Sequence, residues 1–274
     1  MKAIIPAAGY GTRFLPATKT VPKEMLPVGN KPAIQWIVEE ALAAGAEEVV
    51  IVTSPDKPSI RKHFEPDAVW RERLRNRPEA DAEMARVEML ASRVRFVDQL
   101  EQRGLGHAVL QAAPLFSGGD GRMLILLGDA LVASDLPCSQ AIVRKAGAID
   151  PSASWVGLER VPMERVSRYG VVRGRLLPDE ERVYRVEGLV EKPSPEEAPS
   201  DLAIAGRYLL STEIFGLLST QKPGKGGEIQ LTDALVRLLD SRPVYGFRYP
   251  GRRLDIGNPA GYLDTLNVWA EKGR

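Results

Sequence analysis

The chain has 274 residues, of which 37 are lysine or arginine and 36 are aspartate or glutamate, so its formal net charge is +1 at pH 7. That balance argues against a nucleic-acid-binding protein that depends on a broadly basic surface, and the length allows one large α/β domain. The single cysteine cannot form an intrachain disulfide, and no apolar run approaches transmembrane length. We therefore expect a cytoplasmic protein without a signal peptide, with neither a membrane nor a nucleic acid as partner.

The first predicted unit is a strand, a loop, a helix and a second strand. Residues 3–5 and 49–53 form short apolar runs typical of buried strands, and residues 32–44 place apolar side chains on one helical face. Pro32 suits the first turn of that helix and Gly45 its C-terminal end. The loop after the first strand should lie at the carboxyl end of the sheet, where open α/β sheets bind ligands.

That loop has the composition of a phosphate site, because small residues let successive backbone N–H groups converge on one point. Arg13 adds a cationic fork, and Lys23 follows in a proline-rich extended stretch from which it can reach the same pocket. The spacing matches neither a P-loop nor a dinucleotide fingerprint, and from composition alone a plain glycine turn with an exposed arginine stays open. The predicted nucleotide-binding positions in the loop are Ala7, Ala8, Gly9, Gly11 and Thr12.

The remaining chain continues the alternation of strands and helices. A charged stretch at 66–93 predicts one or two surface helices, which are expected to be a solvated face without a specific function. Further strands are predicted at 94–97, 123–127, 155–158, 169–172, 183–190 and 203–210. Further helices are predicted at 105–113, from 211 or 212 to 218 with a Ser or Thr cap, at 232–239 and at 259–271. Together they predict an α/β fold with a mixed, mostly parallel central sheet flanked by helices.

Metal chemistry is restricted by the scarcity of soft ligands. Only His63, His107 and Cys138 are present, which nearly excludes a zinc site of nitrogen and sulfur ligands. Any metal is therefore expected to be a hard cation held by carboxylates and phosphates, namely Mg²⁺. Asp129 ends a buried strand and Asp255 precedes a glycine turn, which suits a ligand crevice, although either could simply cap a turn or helix.

Two further strings carry groups suited to recognition. Gln99 offers one acceptor and two donors to a nucleobase edge, and Gly104 permits close backbone approach. Glu191 and Lys192 end a strand, where alternation would send them to opposite faces unless Pro193 breaks the strand locally. An exposed ion pair at the strand end is the simpler alternative. His107 is expected to be a hydrogen-bonded structural residue rather than a catalyst.

The string Gly-x-Gly-Thr-Arg at 9–13, followed by Pro-Lys-Glu-Met-Leu-Pro at 22–27, resembles the signature of the sugar-phosphate nucleotidylyltransferases. In detail it is most similar to the bacterial branch that acts on UTP and glucose 1-phosphate. Leu100 stands where glycine is usual and Gly128 where proline is common. Strings in the same order continue the match at 99–107, 124–130, 169–172, 186–193, 205–208 and 227–233.

The resemblance implies a Rossmann-like nucleotidyltransferase fold in a single domain, 1–274, with the nucleotide half mainly in 1–150 and the sugar half mainly in 151–274. It implies a homo-oligomer, a dimer or tetramer, that uses Mg²⁺ to convert UTP and glucose 1-phosphate into UDP-glucose and pyrophosphate. Two alternatives remain open. One is a relative using dTTP or another sugar phosphate, and the other is a non-catalytic regulator that binds nucleotide sugars.

The resemblance also implies roles for individual residues. Arg13 and Lys23 hold the triphosphate and the leaving pyrophosphate, and Lys192 holds the attacking sugar phosphate. Asp129, with Asp255, holds Mg²⁺. The remaining implied contacts are Gln99 and Gly104 to uracil, and Gly170, Glu191 and Gly206 to the sugar.

Overall fold

The structure is a computed structural model that describes residues 1–116 and 121–271. Its strands are β1 Lys2–Pro6, β2 Pro27–Val28, β3 Lys31–Pro32, β4 Glu48–Thr53, β5 Val94–Asp98, β6 Arg122–Leu126, β7 Ala130–Ala133, β8 Ser154–Arg160, β9 Gly170–Leu176, β10 Val183–Glu191, β11 Leu202–Ser211, β12 Val244–Arg248 and β13 Arg252–Asp255. Its α-helices are α1 Ala33–Ala43, α2 Pro58–Phe64, α3 Ala68–Leu74, α4 Pro78–Ala91, α5 Leu105–Gln111, α6 Cys138–Ile149, α7 Ile214–Ser219, α8 Leu231–Leu238 and α9 Pro259–Glu271.

Within the described residues, nine strands form one sheet in the order β5-β4-β1-β6-β11-β8-β12-β10-β9. β5, β4, β1 and β6 are parallel to one another, and β8 is parallel to β12. β11 is antiparallel to β6, β8 and β9, and β10 is antiparallel to β12 and β9. Only β10 and β11 therefore oppose the common direction of this sheet, and the prediction of a mixed, mostly parallel sheet is confirmed.

The core covers both faces of the sheet because alternate residues of its strands point to opposite sides. In β1, Ala3 and Ile5 pack in one buried cluster, which α1, α6 and α9 cover. Ile4 packs in a second cluster, which α5, α7 and α8 cover. The result is a three-layer α/β/α arrangement that leaves the carboxyl ends of β1, β4 and β6 at one edge.

Several helix predictions were right. The stretch 66–93 forms α3 and α4, as predicted, and the last helix spans Pro259–Glu271. α2 and α6 were not predicted. α2 is too short to show a period, because it buries only Ile60 and Phe64 over seven residues.

One cap prediction was wrong. The helix expected from 211 or 212 begins at Ile214, and Glu213 precedes it without a side-chain cap. Ser211 is still in β11, where it pairs with Arg122 of β6, so sheet pairing keeps this residue extended. Its hydroxyl instead accepts a hydrogen bond from the Glu213 N–H at 3.3 Å.

No helix of the described residues is long and apolar enough to cross a membrane.

Candidate active site

A cleft of about 610 Å³ opens at the edge where β1, β4 and β6 end. β1 and β4 are parallel and in register, with Pro6 opposite Val52, so the loops that follow them leave the sheet side by side. The cleft is lined by Pro6, Ala8, Gly9, Tyr10, Gly11, Thr12, Arg13, Lys23, Glu24, Gln99, Gln102, Gly104, Leu105, Ala108, Leu127, Gly128, Asp129, Glu228 and Gly257. Most predicted nucleotide-side residues therefore meet in one place.

The glycine loop after β1 is held in a left-handed turn at Gly11, whose φ is 67°. The Thr18 hydroxyl donates to the Gly11 carbonyl oxygen at 2.9 Å, and a Cβ at Gly11 would lie 3.1 Å from the Thr18 methyl group. A short turn at Thr12–Phe14 then presents Arg13 to solvent at the cleft. Within the described residues Arg13 makes no ion pair, so its guanidinium is available to an anion.

Lys23 and Asp129 form an ion pair across the cleft, with the Lys23 Nζ 2.5 Å from Asp129 Oδ2. Burial alone would raise the pKa of Asp129, but the Lys23 ammonium, helped by Arg253, holds it below its ordinary value. Burial would likewise lower the pKa of Lys23, and the carboxylates of Asp129 and Glu24 hold it above its ordinary value. Both groups are therefore charged at neutral pH.

Asp255 reaches Asp129 through the small β7–β13 pair. In that pair Asp255 lies opposite Ala130, and the Ile256 N–H donates to the Asp129 carbonyl oxygen at 2.9 Å. A Cβ built on Gly257 would lie 2.9 Å from Asp255 Oδ1 and 3.1 Å from Asp129 Oδ2, so both carboxylates border the same glycine. The capping alternative is also present, because Asp255 Oδ1 accepts from the Gly257 N–H at 2.8 Å.

This donor set fits Mg²⁺ rather than a protein-caged metal. Among the described residues no group of three or more His, Cys, Asp or Glu side chains is placed to hold a metal ion. Mg²⁺ is commonly bound by one or two carboxylates together with phosphates and water, and Asp129 and Asp255 supply that number of hard oxygen ligands. Asp129 Oδ2 already binds one positive charge, the Lys23 ammonium.

The predicted base side of the cleft is built by two chain segments in close contact. Gly104, with φ 99°, packs so closely that a Cβ there would lie 2.7 Å from Glu228 Cβ and 3.0 Å from the Ile229 carbonyl oxygen. Gln99 Nε2 donates to the Gly104 carbonyl oxygen at 3.3 Å and lies 3.0 Å from His107 Nδ1. No hydrogen bond among the described residues uses Gln99 Oε1, which leaves an acceptor in the cleft wall.

Two of the departures from the family pattern, Leu100 and Gly128, do not disturb the cleft, and the third, Ala130, is buried in β7. Leu100 is 76% exposed and does not line it. The Gly128 N–H donates to the Pro6 carbonyl oxygen at 3.2 Å, and a Cβ there would lie 2.7 Å from that oxygen. A glycine thus lets β6 turn tightly against the end of β1, and a proline would remove the donor.

Two of the three predicted sugar residues, Gly170 and Glu191, form a second cluster with Lys192 beyond the cleft lining. Glu191 of β10 pairs with Gly170 of β9, and Glu191 Oε2 accepts from the Thr232 hydroxyl at 2.7 Å. Lys192 adopts a left-handed conformation with φ 47°, which interrupts the strand alternation. Its Nζ consequently lies 3.1 Å from Glu191 Oε1, so both side chains share one side. The predicted local break before Pro193 is present.

Gly206 lies apart from that cluster. It is buried with φ 79° where the pairing of β11 with β8 shifts register, and its carbonyl oxygen accepts from the Leu127 N–H at 3.0 Å. A Cβ there would lie 2.9 Å from Leu127 Cδ1. Gly206 therefore supports Leu127, which lines the cleft, and a direct sugar contact by Gly206 stays a prediction.

Arg253, which the motif analysis did not assign to the site, lies between the two clusters. Its Nε donates to Glu159, and its guanidinium lies 4.6 Å from the centre of the Tyr169 ring. The Tyr169 carbonyl oxygen in turn accepts from the Lys192 N–H at 2.9 Å. Arg253 is two residues before Asp255 in β13, so this chain of contacts joins the paired carboxylates to the Glu191–Lys192 cluster.

Comparisons with known proteins find relatives over nearly the whole chain. A model of the nucleotidyl transferase family matches residues 2–272. The UTP–glucose-1-phosphate uridylyltransferase of Pseudomonas aeruginosa is 42% identical over 273 residues, covering 98% of this chain and 96% of that enzyme. A UDP-glucose pyrophosphorylase solved with UDP-glucose is 39% identical, with a TM-score of 0.86 and coverage of 99% and 98%. A UTP-bound UGPase from Acinetobacter baumannii is 35% identical, with a TM-score of 0.86 and coverage of 99% and 93%.

Proposed function

This chain belongs to the nucleotidyl transferase family, and we infer that it transfers a uridylyl group from UTP to glucose 1-phosphate, releasing pyrophosphate. The observation that carries the inference is the convergence of Arg13, Lys23 and Asp129 on one cleft beside a glycine loop. These groups suit a polyphosphate, and the near full-length similarity to uridylyltransferases supports UTP and glucose 1-phosphate as the substrates.

The chemistry needs positioning and charge neutralisation more than proton transfer. The phosphate oxygen of glucose 1-phosphate is already a nucleophile, so in-line attack on the α-phosphorus of UTP requires no general base. We propose that Lys23 and Arg13 bind the β- and γ-phosphates and offset the charge that builds on the leaving pyrophosphate. The ion pair with Asp129 holds Lys23 in the cleft, where its ammonium is within the same cleft lining as Arg13.

We propose Asp129 as the principal Mg²⁺ ligand and Asp255 as its neighbour. Bound there, Mg²⁺ would neutralise phosphate charge and orient the triphosphate. Support comes from the carboxylate oxygens on either side of Gly257 and from the lowered pKa of Asp129, which keeps its oxygens ionised. Lys23 must then share Asp129 with the metal, and the triphosphate offers it new acceptors.

Base and sugar are read at opposite ends of the site in this proposal. Gln99 Oε1, which has no protein donor among the described residues, suits the N3–H of uracil. Glu191 would accept from sugar hydroxyls, and Lys192 would bind the sugar phosphate. The nucleotide half then lies mainly within residues 1–150 and the sugar half within 151–274, in one domain.

The experiment that tests this function is pyrophosphate release across a matrix of nucleoside triphosphates and sugar 1-phosphates, with free Mg²⁺ throughout. We expect the highest kcat/KM for UTP with glucose 1-phosphate. A clear preference for dTTP or for another sugar 1-phosphate would assign the protein to a different branch of the family. Binding of UDP-glucose without turnover of any pair would make it a regulator.

Replacing Lys192 by alanine is expected to weaken binding of glucose 1-phosphate by about 10- to 100-fold, as for a lost hydrogen bond to a charged group, roughly 1.5–3 kcal/mol. UTP binding should be unchanged, because Lys192 lies outside the nucleotide cleft lining. Calorimetry with UTP alone, and then with glucose 1-phosphate on the nucleotide complex, separates the two effects. Lys222→Ala, at an exposed lysine elsewhere in the sequence, is the matched control. A loss confined to UTP binding would reverse the assigned role.

A further inference from the structure

A buried lysine lies behind the glycine loop and outside the set of residues assigned above. Lys57 directly precedes α2, and its side chain is 8% exposed. Its Nζ lies 2.8 Å from the Ala7 carbonyl oxygen and 2.5 Å from that of Gly9. The same Nζ lies 3.1 and 2.9 Å from the two carboxylate oxygens of Glu24. One ammonium therefore connects the glycine loop with the segment that carries Lys23.

The two carbonyl contacts fix the orientation of two peptide planes. In a planar trans peptide, the carbonyl of one residue and the N–H of the next point in opposite directions. Because the carbonyls of Ala7 and Gly9 turn toward Lys57, the N–H groups of Ala8 and Tyr10 point away from it. Ala8 and Tyr10 line the cleft and Lys57 does not, so the loop lies between the lysine and the cleft.

Those two N–H groups have no acceptor within residues 1–116 and 121–271. A Cβ at Gly9, between them, would meet no atom within 4 Å, so the space in front of the loop is open. Backbone N–H groups that face the same side of a loop and have no protein partner can bind phosphate oxygens. Lys57 therefore contacts one side of the loop, and the N–H groups on the other side are available to a ligand.

We propose that Lys57 is a positioning residue, which turns the Ala8 and Tyr10 N–H groups toward the phosphate oxygens of a bound nucleoside triphosphate. This role of Lys57 rests on the proposed function in one respect, namely that the ligand is a nucleoside triphosphate. Glu24 has a companion role, because it balances the charge of Lys57 in a buried place. Since Glu24 follows Lys23 directly, the same contact also fixes the backbone from which Lys23 extends.

A charge-neutral pair of substitutions separates positioning from stability. Lys57→Met alone leaves Glu24 buried without a partner, and such a charge is costly to the fold. The double variant Glu24→Gln/Lys57→Met removes both charges at nearly constant volume, and its Tm is expected to recover toward the wild-type value. Lys62→Met, at an exposed lysine on α2, is the control for losing one positive charge nearby.

The readout is the ratio of UTP affinity to uridine affinity, measured by titration with Mg²⁺ present. Uridine uses the base wall but has no phosphate, so only UTP depends on the Ala8 and Tyr10 N–H groups. In the folded double variant we expect UTP affinity to fall by about 10²-fold, the scale of a misplaced binding group, while uridine affinity is retained. Lys62→Met should leave the ratio unchanged.

Equal weakening of UTP and uridine, or wild-type UTP affinity in the double variant, would overturn the role of Lys57. The proposed function fails separately, if the wild-type protein turns over no pair of triphosphate and sugar phosphate. A fall in the affinity ratio would still support Lys57 in that case, because the ratio is measured at equilibrium and needs no turnover.

Discussion

Replacing Asp129 by asparagine is expected to lower kcat by roughly 10³-fold or more, because the proposed Mg²⁺ site would lose its principal anionic ligand. The loss corresponds to several kcal/mol of charge stabilisation at the phosphates. Asparagine keeps the shape of the side chain, but it offers one neutral oxygen where the carboxylate offered two charged ones. The remaining activity should require a much higher Mg²⁺ concentration, which a titration of initial rate against free Mg²⁺ measures.

The same substitution also removes the partner of Lys23, so its effect on folding must be measured separately. Thermal unfolding of Asp129→Asn reports the lost ion pair, and the rate against Mg²⁺ reports the lost ligand. Asp135→Asn is the matched control, since it removes an exposed aspartate just beyond β7. Full turnover by Asp129→Asn at saturating Mg²⁺ would refute the metal assignment.

The lowered pKa of Asp129 adds a pH dependence with a definite sign. A carboxylate whose folded pKa is below its unfolded value stabilises the protein above the unfolded pKa. That contribution is lost as pH falls through the folded pKa, because the Asp129 carboxylate then becomes protonated and its ion pair with Lys23 is broken. Near neutral pH the pair is intact, so differences between wild type and Asp129→Asn there reflect the charge itself.

The convergence of the predicted nucleotide-side residues on one cleft was largely predictable, because these residues follow neighbouring parallel strands. The loop at 7–13 and Lys23 follow one strand, and the buried run before Asp129 identifies the neighbouring one. Strands with apolar runs end at a common edge when they are parallel, so such residues meet without further information. The predicted sheet and most of its strands follow from the same apolar runs.

Contacts that depend on short elements were harder to predict. Asp255 meets Asp129 only because β13 pairs with β7, and each of these strands has four residues. Lys57 could have been noticed, since it follows β4, the parallel neighbour of β1, but a lysine after a strand is ordinarily a solvated side chain. Its burial becomes visible only when Glu24 and the carbonyls of the loop surround it.

Replacing Arg13 by alanine is expected to slow the chemical step more than it weakens binding of the product. If Arg13 offsets charge on the leaving pyrophosphate, its loss resembles the loss of one preorganised donor. We expect kcat to fall by roughly 10²–10³, or about 2.7–4 kcal/mol of barrier. UDP-glucose has no γ-phosphate for Arg13 to bind, so its affinity should change far less. Single-turnover kinetics and equilibrium titration with UDP-glucose measure the two effects.

Because Arg13 is exposed, its replacement should change catalysis without changing the stability of the fold. Arg13 has no ion pair within the described residues, so its removal leaves no buried charge behind and stability should be unchanged. Arg144→Ala, at an exposed arginine on α6, is the matched control for the change in net charge. If turnover persists at the wild-type rate in Arg13→Ala, Arg13 does not stabilise the pyrophosphate. Lys23 would then be the principal side-chain cation on the leaving group, because it is already fixed beside Asp129 and lines the same cleft.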